Sequence, residues 1–214
     1  MKTLIITNGN IRDNKFLRQM VELHDYIICV DGAAKYLKTI SHKPDLIVGD
    51  MDSILEDDLK WIESSKVPID VYETRKDYTD TEIAIDAAIE KKSSSIMILG
   101  AIGSRIDHSL SNLFLLKKIS EAGLEGLIAD GDYEVSLIQK SLRLNWSKGE
   151  VVSFIPASEL PVRLTLEGFE YPLTDKTIRQ GTSLCVSNVV ARDYPNVIIE
   201  SGSLIAVRNK DLVD

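Results

Sequence analysis

Asp45-Leu46-Ile47-Val48-Gly49-Asp50-Met51-Asp52-Ser53 decides how this chain is read. A short apolar run stops at a glycine, and two carboxylates follow at once. The run reads as a buried strand and the glycine as its turn. In extended backbone, residues two apart point the same way, so Asp50 and Asp52 are placed to share one cation. A turn followed by a helix cap is the plainer alternative. It explains Ser53, which has the capping-box spacing to Glu56, better than it explains the two aspartates.

The same pattern recurs along the first 130 residues. Leu4 to Thr7, Tyr26 to Val30, Ile69 to Tyr72, Ser95 to Leu99 and Gly126 to Ala129 are further short apolar or β-branched runs. Between them lie segments with helical spacing: Phe16, Leu17, Met20, Val21; Ile83, Ala84, Ala87, Ala88; and Leu110, Leu113, Phe114, Lys117, whose last member leaves the apolar face. Strand alternating with helix predicts a mainly parallel sheet covered on both faces. Ligands of such sheets bind at the carboxyl ends of the strands.

Polar motifs collect at those predicted strand ends. Thr7-Asn8-Gly9-Asn10 follows the first strand, and Asp31-Gly32-Ala33-Ala34 follows the second. Asp31 and Gly32 either approach a nucleotide or simply open the next helix. Lys76-Asp77-Tyr78-Thr79-Asp80-Thr81-Glu82 opens the helix of residues 81–91; Thr79 with Glu82 again fits a capping box, and Lys76 either meets a phosphate or is solvated. Gly100-Ala101-Ile102-Gly103-Ser104-Arg105-Ile106-Asp107-His108 is the strongest of the set. Gly100 and Gly103 let backbone N–H groups approach an anion, Arg105 brings a planar charged fork, and Asp107 and His108 add a carboxylate and an imidazole. A structural Arg–Asp pair with a capping aspartate is the alternative there. Carboxylates converging on one edge call for a divalent cation, and their hard oxygen atoms suit Mg²⁺ with substrate phosphates. The chain lacks the Gly-x-x-x-x-Gly-Lys-Ser/Thr sequence of a P-loop, so a nucleotide would be held through metal, arginine and glycine backbone.

The pattern changes near Asp130-Gly131-Asp132. Glu134 to Gln139, Val151 to Ile155, Val162 to Leu166, Ser183 to Val186, Val197 to Glu200 and Ser203 to Val207 are short runs of strand character divided by turn residues. They predict an antiparallel β-sandwich, with domains at 1–132 and 133–214. The length of 214 residues fits one large domain or two small ones. A net charge of −8 argues against a general polyanion binder but allows a local basic pocket for one nucleotide, and no nucleic-acid partner is expected. Cys29 and Cys185 sit in apolar runs and read as buried free thiols. No stretch resembles a signal peptide or a membrane span, so a cytoplasmic protein is expected.

Taken together, these motifs resemble the thiamine pyrophosphokinase family. The resemblance runs through Asp31-Gly32-Ala33, Pro44-Asp45, Gly49 to Ser53, Asp77-Tyr78-Thr79-Asp80, and Gly100 to His108 with Asn112. It continues in Leu166-Glu167-Gly168-Phe169-Glu170-Tyr171-Pro172-Leu173 and in Gly181-Thr182-Ser183-Leu184-Cys185-Val186-Ser187-Asn188, which look like the family's thiamine-binding β-domain. The resemblance implies transfer of the pyrophosphoryl group of ATP to the thiamine hydroxyl, with Mg²⁺, in a homodimer whose active site lies between subunits. It implies that Asp50, Asp52 and Asp80 are metal and catalytic residues. Asp107 is an alternative to Asp80 as acceptor of the late proton. Asp31, Gly32, Lys76, Thr79, Gly100, Gly103, Arg105 and His108 would face the nucleotide, and Tyr171, Ser187 and Asn188 the thiamine. Tyr171 stands where some members carry tryptophan, and Cys185 where some carry serine. Two rivals remain at this level: a pyrophosphokinase for another heterocycle such as a pterin, and a non-catalytic thiamine or nucleotide sensor.

Overall fold

Six apolar runs of the first half form parallel strands: β1 (Lys2–Ile6), β2 (Tyr26–Val30), β3 (Leu46–Val48), β4 (Ile69–Asp70), β5 (Ser95–Leu99) and β6 (Glu125–Ala129). Their order is β6-β5-β1-β2-β3-β4, and every neighbouring pair is parallel. The computed structural model describes residues 1–49, 56–65, 67–70 and 78–210. The chain divides into two units, Met1–Gly131 and Asp132–Asp214.

Among the described residues, the α-helices between these strands are α1 (Asn14–Glu22), α2 (Ala34–Thr39), α3 (Glu56–Ser65), α4 (Asp80–Glu90) and α5 (Ile106–Glu121). Local chemistry sets their starts. The Asp13 carboxylate accepts from Lys15 N at 2.7 Å and Phe16 N at 3.1 Å, capping α1. Thr79 Oγ1 accepts from Glu82 N at 3.3 Å, the predicted cap of α4. Successive residues of a central strand face opposite sides. Leu4 and Ile6 of β1 join a core with Leu17 and Met20 of α1, Leu37 of α2 and Ile62 of α3. Helix α4 is buried along nearly its whole length, through Ile83, Ala84, Ile85, Ala87 and Ala88, and packs on β1, β2 and β3.

Helix α5 departs from the periodicity reading. Its buried residues are Asn112, Leu115, Leu116 and Ile119, while Leu110 and Phe114 are exposed. Leu110 and Phe114 of the stripe read from the spacing face outward, and a register containing a buried asparagine faces the sheet. Lys118 of α5 reaches Glu82 at 2.9 Å and Asp86 at 2.8 Å, and lies 5.9 Å from the Tyr78 ring. This pairing ties α5 to the beginning of α4.

The second unit is antiparallel throughout. One sheet has the order β12-β9-β14-β7, from β7 (Tyr133–Ile138), β9 (Val151–Pro156), β12 (Asn188–Val189) and β14 (Leu204–Asn209); the other has β11-β10-β13-β8, from β8 (Leu142–Arg143), β10 (Val162–Glu167), β11 (Leu173–Ile178) and β13 (Asn196–Ser201). Inward residues of both sheets share one core, including Val152 and Phe154 from β9, Leu164 and Leu166 from β10, and Val197 from β13. Phe154 stands edge-on to Phe169 with ring centres 5.4 Å apart. The predicted strand at Ser183 to Val186 does not form. Those residues make a turn, with Val186 N donating to Ser183 O. Only Cys185 of the apolar trio is buried; Leu184 and Val186 are exposed. An apolar run of three residues cannot by itself distinguish a strand from a turn that buries one side chain.

Among the described residues, no helix is long and apolar enough to cross a membrane.

Candidate active site

The central strands β5, β1, β2 and β3 are neighbours, so the loops at their carboxyl ends share one edge of the sheet. Ile6 lies level with Cys29 and with Leu99, and Val30 lies level with Val48. Thr7, Asp31, Gly49 and Gly100 therefore emerge side by side. The open α/β sheet places its binding crevice at this edge.

Backbone hydrogen bonds continue past the sheet and join the first and last of these loops. Thr7 N donates to Leu99 O at 2.9 Å, Gly9 N to Gly100 O at 2.9 Å, and Asn10 N to Ile102 O at 3.1 Å. The approach leaves no room for side chains. A Cβ on Gly9 would lie 2.0 Å from Gly100 O, and one on Gly100 would lie 2.4 Å from Thr7 O. Gly100 also has φ +68°, a conformation that favours glycine. Gly32 is buried beneath the Asn8 side chain, and Gly49 packs against Asp31.

Side chains hold this double loop from behind. Asn112, buried on α5, donates from Nδ2 to Ala101 O at 2.8 Å. Ser109 Oγ accepts from Gly103 N at 3.1 Å and donates to Arg105 O at 2.9 Å. Tyr36 OH donates to Gly9 O. Tyr36 and Ser109 carried no signal in the sequence, because their partners are backbone atoms of other loops or of an irregular turn.

Arg105 and Asp107 form an exposed ion pair. Nε and Nη2 of Arg105 donate to the two carboxylate oxygens of Asp107, at 3.2 and 2.5 Å. Hydrogen bonding to Arg105 holds the Asp107 carboxyl at a pKa of about 2. Nη1 keeps its donors available for another anion. Arg105, the residue at the start of α5, makes no side-chain capping bond, and Asp107 lies in the first turn, its carboxylate bonded to the backbone of His108. His108 is exposed beside the pair. Asp80 lies half-buried in the first turn of α4, next to Thr79.

Asp50, Asp52 and Lys76 lie outside the described residues, as do Ser53 and Asp77. Among the described residues, no group of three or more His, Cys, Asp or Glu side chains could hold a metal ion. Cys29 is fully buried; burial, and then the charge of Asp31, push its thiol pKa far up and leave it unreactive.

In the second unit, Tyr171 and Ser187 fall on two adjoining loops, and Asn188 opens β12 directly after the second. Phe169 bridges to Val190, and Glu170 N donates to Val189 O at 2.9 Å. Tyr171 is exposed on 65% of its surface, with Leu184 and Val186 of the other loop also exposed. Ser187 is exposed in a left-handed conformation at φ +55°, and its N–H donates to buried Ser153 Oγ at 3.1 Å. Asn188 is buried and bonded to the backbone of Tyr171.

Comparison with known proteins gives a consistent answer over both units. Residues 17–127 match the family model for the thiamin pyrophosphokinase catalytic domain, and residues 136–205 match that for its vitamin B1 binding domain. The chain is 33% identical over 215 residues to the thiamine pyrophosphokinase of Bacillus subtilis (strain 168), covering 99% of this chain and 100% of the relative. It is also similar to the crystal structure of thiamine pyrophosphokinase from Bacillus subtilis, at 29% identity and TM-score 0.85, with 99% and 100% of the two chains covered. The crystal structure from Geobacillus thermodenitrificans aligns at 28% identity and TM-score 0.86, with 99% of each chain covered. On these matches, which span both units in order, the chain belongs to the thiamine pyrophosphokinase family of enzymes.

Proposed function

We propose that this protein transfers the pyrophosphoryl group of ATP to the hydroxyethyl oxygen of thiamine, giving thiamine diphosphate and AMP. The observation that carries the proposal is the convergence of four polar loops on adjacent strand ends, in a chain whose second unit matches a vitamin B1 binding domain. That second match supports thiamine over a pterin as acceptor.

We assign the roles as follows. Backbone N–H groups of the Gly100–Asp107 loop and the start of α5 face the phosphates, as helix starts and glycine loops do for anions. Asp31, Gly32, Lys76, Thr79 and His108 complete the nucleotide site. Arg105 turns its free Nη1 donors to a phosphate oxygen. Asp50, Asp52 and Asp80 form an all-oxygen carboxylate set of the kind that Mg²⁺ accepts, and bound Mg²⁺ would neutralise charge on the phosphates. Tyr171 gives the thiamine ring an aromatic surface, and Ser187 a polar contact.

In the reaction, the thiamine oxygen bonds to the β-phosphorus as the bond from that phosphorus to the α-phosphate oxygen breaks. The hydroxyl proton leaves late, because phosphoryl-type transfer depends chiefly on positioning and charge stabilisation. A useful base has a pKa near the working pH. Asp80 and Asp107 are the two candidates to accept the proton, and pairing with Arg105 lowers the basicity of Asp107. We further propose a cytoplasmic homodimer with the active site at the subunit interface. Two buried free cysteines support the compartment. An exposed stripe on α5 supports the dimer: Ile106 at 74% exposure, Leu110 at 52% and Phe114 at 55%, starting where the Gly100–Asp107 loop ends.

A product-resolved assay with thiamine, ATP and Mg²⁺ tests the function. AMP and thiamine diphosphate are expected in equal amounts, and Asp80→Asn should lower kcat by roughly 10²-fold. ADP with thiamine monophosphate would contradict the transfer, and binding of both substrates without turnover would favour the sensor. The Asp107 carboxyl, followed by NMR, should titrate at about 2 and return towards 3.8 in Arg105→Ala. Because its pKa is lowered on folding, its pairing with Arg105 persists above the ordinary carboxylate range and fades as pH falls through about 2. A wild-type midpoint near 3.8 would mean that the pair does not form in solution. Sedimentation equilibrium should give a dimer that Phe114→Glu converts to monomer; a monomeric wild-type protein would refute the assembly.

A further inference from the structure

Asn188 cannot serve thiamine in the way its place in the sequence suggests. Its side chain is 3% exposed. Oδ1 accepts from Tyr171 N at 3.1 Å and from Val189 N at 2.9 Å, while Nδ2 donates to Tyr171 O at 2.9 Å. An amide oxygen has two lone pairs, so both acceptor positions are used. Three of the amide's interactions are internal, and two of them grip the backbone N–H and C=O of a single residue, Tyr171.

That residue needs holding. Tyr171 follows Phe169 and Glu170, which are bound by the bridge to Val190 and the bond to Val189 O. Beyond Glu170 that backbone pairing ends, and the Asn188 side chain extends it by one residue. Asn188 itself is fixed in β12, level with Val152 of β9. The load runs from the sheet, through one amide, to the backbone beneath an exposed aromatic ring.

On the reading that Tyr171 faces thiamine, we propose that Asn188 is a positioning residue, setting the place of the Tyr171 ring and making no contact with thiamine itself. A rigid mount matters because an aromatic contact depends on ring placement, and an exposed loop residue would otherwise lose freedom on binding.

A double-mutant cycle tests this. The kcat/KM for thiamine and the KM for ATP are measured for Asn188→Ala, Tyr171→Ala and the double variant, with folding checked by circular dichroism. Tyr171→Ala should lower kcat/KM for thiamine about 10-fold, the scale of one aromatic contact. Asn188→Ala should lower it about 3- to 10-fold by the same route. The double variant should lose no more than the Tyr171 variant, with KM for ATP steady within about twofold in all three, as expected when one residue acts through the other. Asn188→Ser keeps an uncharged polar group but shortens it, so it loses reach to Tyr171 without burying a charge. It should fall between wild type and Asn188→Ala, and it carries the test if the alanine variant does not fold. Multiplied losses in the double variant would overturn the proposal and make Asn188 a ligand in its own right. A loss in Tyr171→Ala but none at Asn188 would overturn it while leaving Tyr171 at thiamine. No loss in Tyr171→Ala would remove the thiamine reading of Tyr171 and the proposal with it.

Discussion

The backbone pairing of Gly9 with Gly100 is the constraint on which the candidate nucleotide site rests. Strands β1 and β5 are already level at Ile6 and Leu99. The pairing carries their register past the sheet, so two loops that would otherwise be independent act as one surface. Side chains on both residues would block it, since each Cβ would meet a carbonyl oxygen at 2.4 Å or less. The glycines therefore do more than permit a turn. They let two backbones meet, and each backbone then supplies polar groups to the same crevice. Tyr36, Ser109 and Asn112 fasten this surface to α2 and α5.

Charge is arranged to suit that surface. Asp107 is neutralised by Arg105 next to it in space, and Lys118 holds Glu82 and Asp86 on α4. These pairings neutralise acidic groups on α4 and α5. The proposed division of labour follows: Asp50, Asp52 and Asp80 for a cation, Asp107 for orienting Arg105, and backbone N–H groups for phosphate. A cluster of carboxylates and an anionic substrate are then compatible, because the cation and the helix starts carry the compensating charge.

The sequence made some of this legible and hid the rest, for physical reasons. The parallel sheet was readable because apolar runs alternate with helical spacing, and the Thr79 cap because its partner lies three residues away. Non-local pairing was not readable. Nothing in Tyr36 announces a bond to Gly9 O, and nothing in Asn112 marks it as the buried register of α5. On α5, spacing singled out Leu110, Leu113 and Phe114, of which Leu110 and Phe114 are exposed, whereas Asn112, Leu115, Leu116 and Ile119 are buried. At Ser183 to Val186, an apolar run proved to be a turn with one anchored side chain. Asn188 stood in the expected segment, but only coordinates reveal that its amide is directed at Tyr171.

The most direct test is an NMR titration of wild-type protein with ATP and Mg²⁺, without thiamine, following every backbone amide. The account predicts the largest changes at Gly9, Asn10, Gly32, Thr79, Asp80 and the Gly100–His108 segment, with those of Asp132 to Lys210 small by comparison. Largest changes elsewhere, with the Gly9 and Gly100–Gly103 amides unmoved, would contradict a nucleotide site built on the paired strand-end loops.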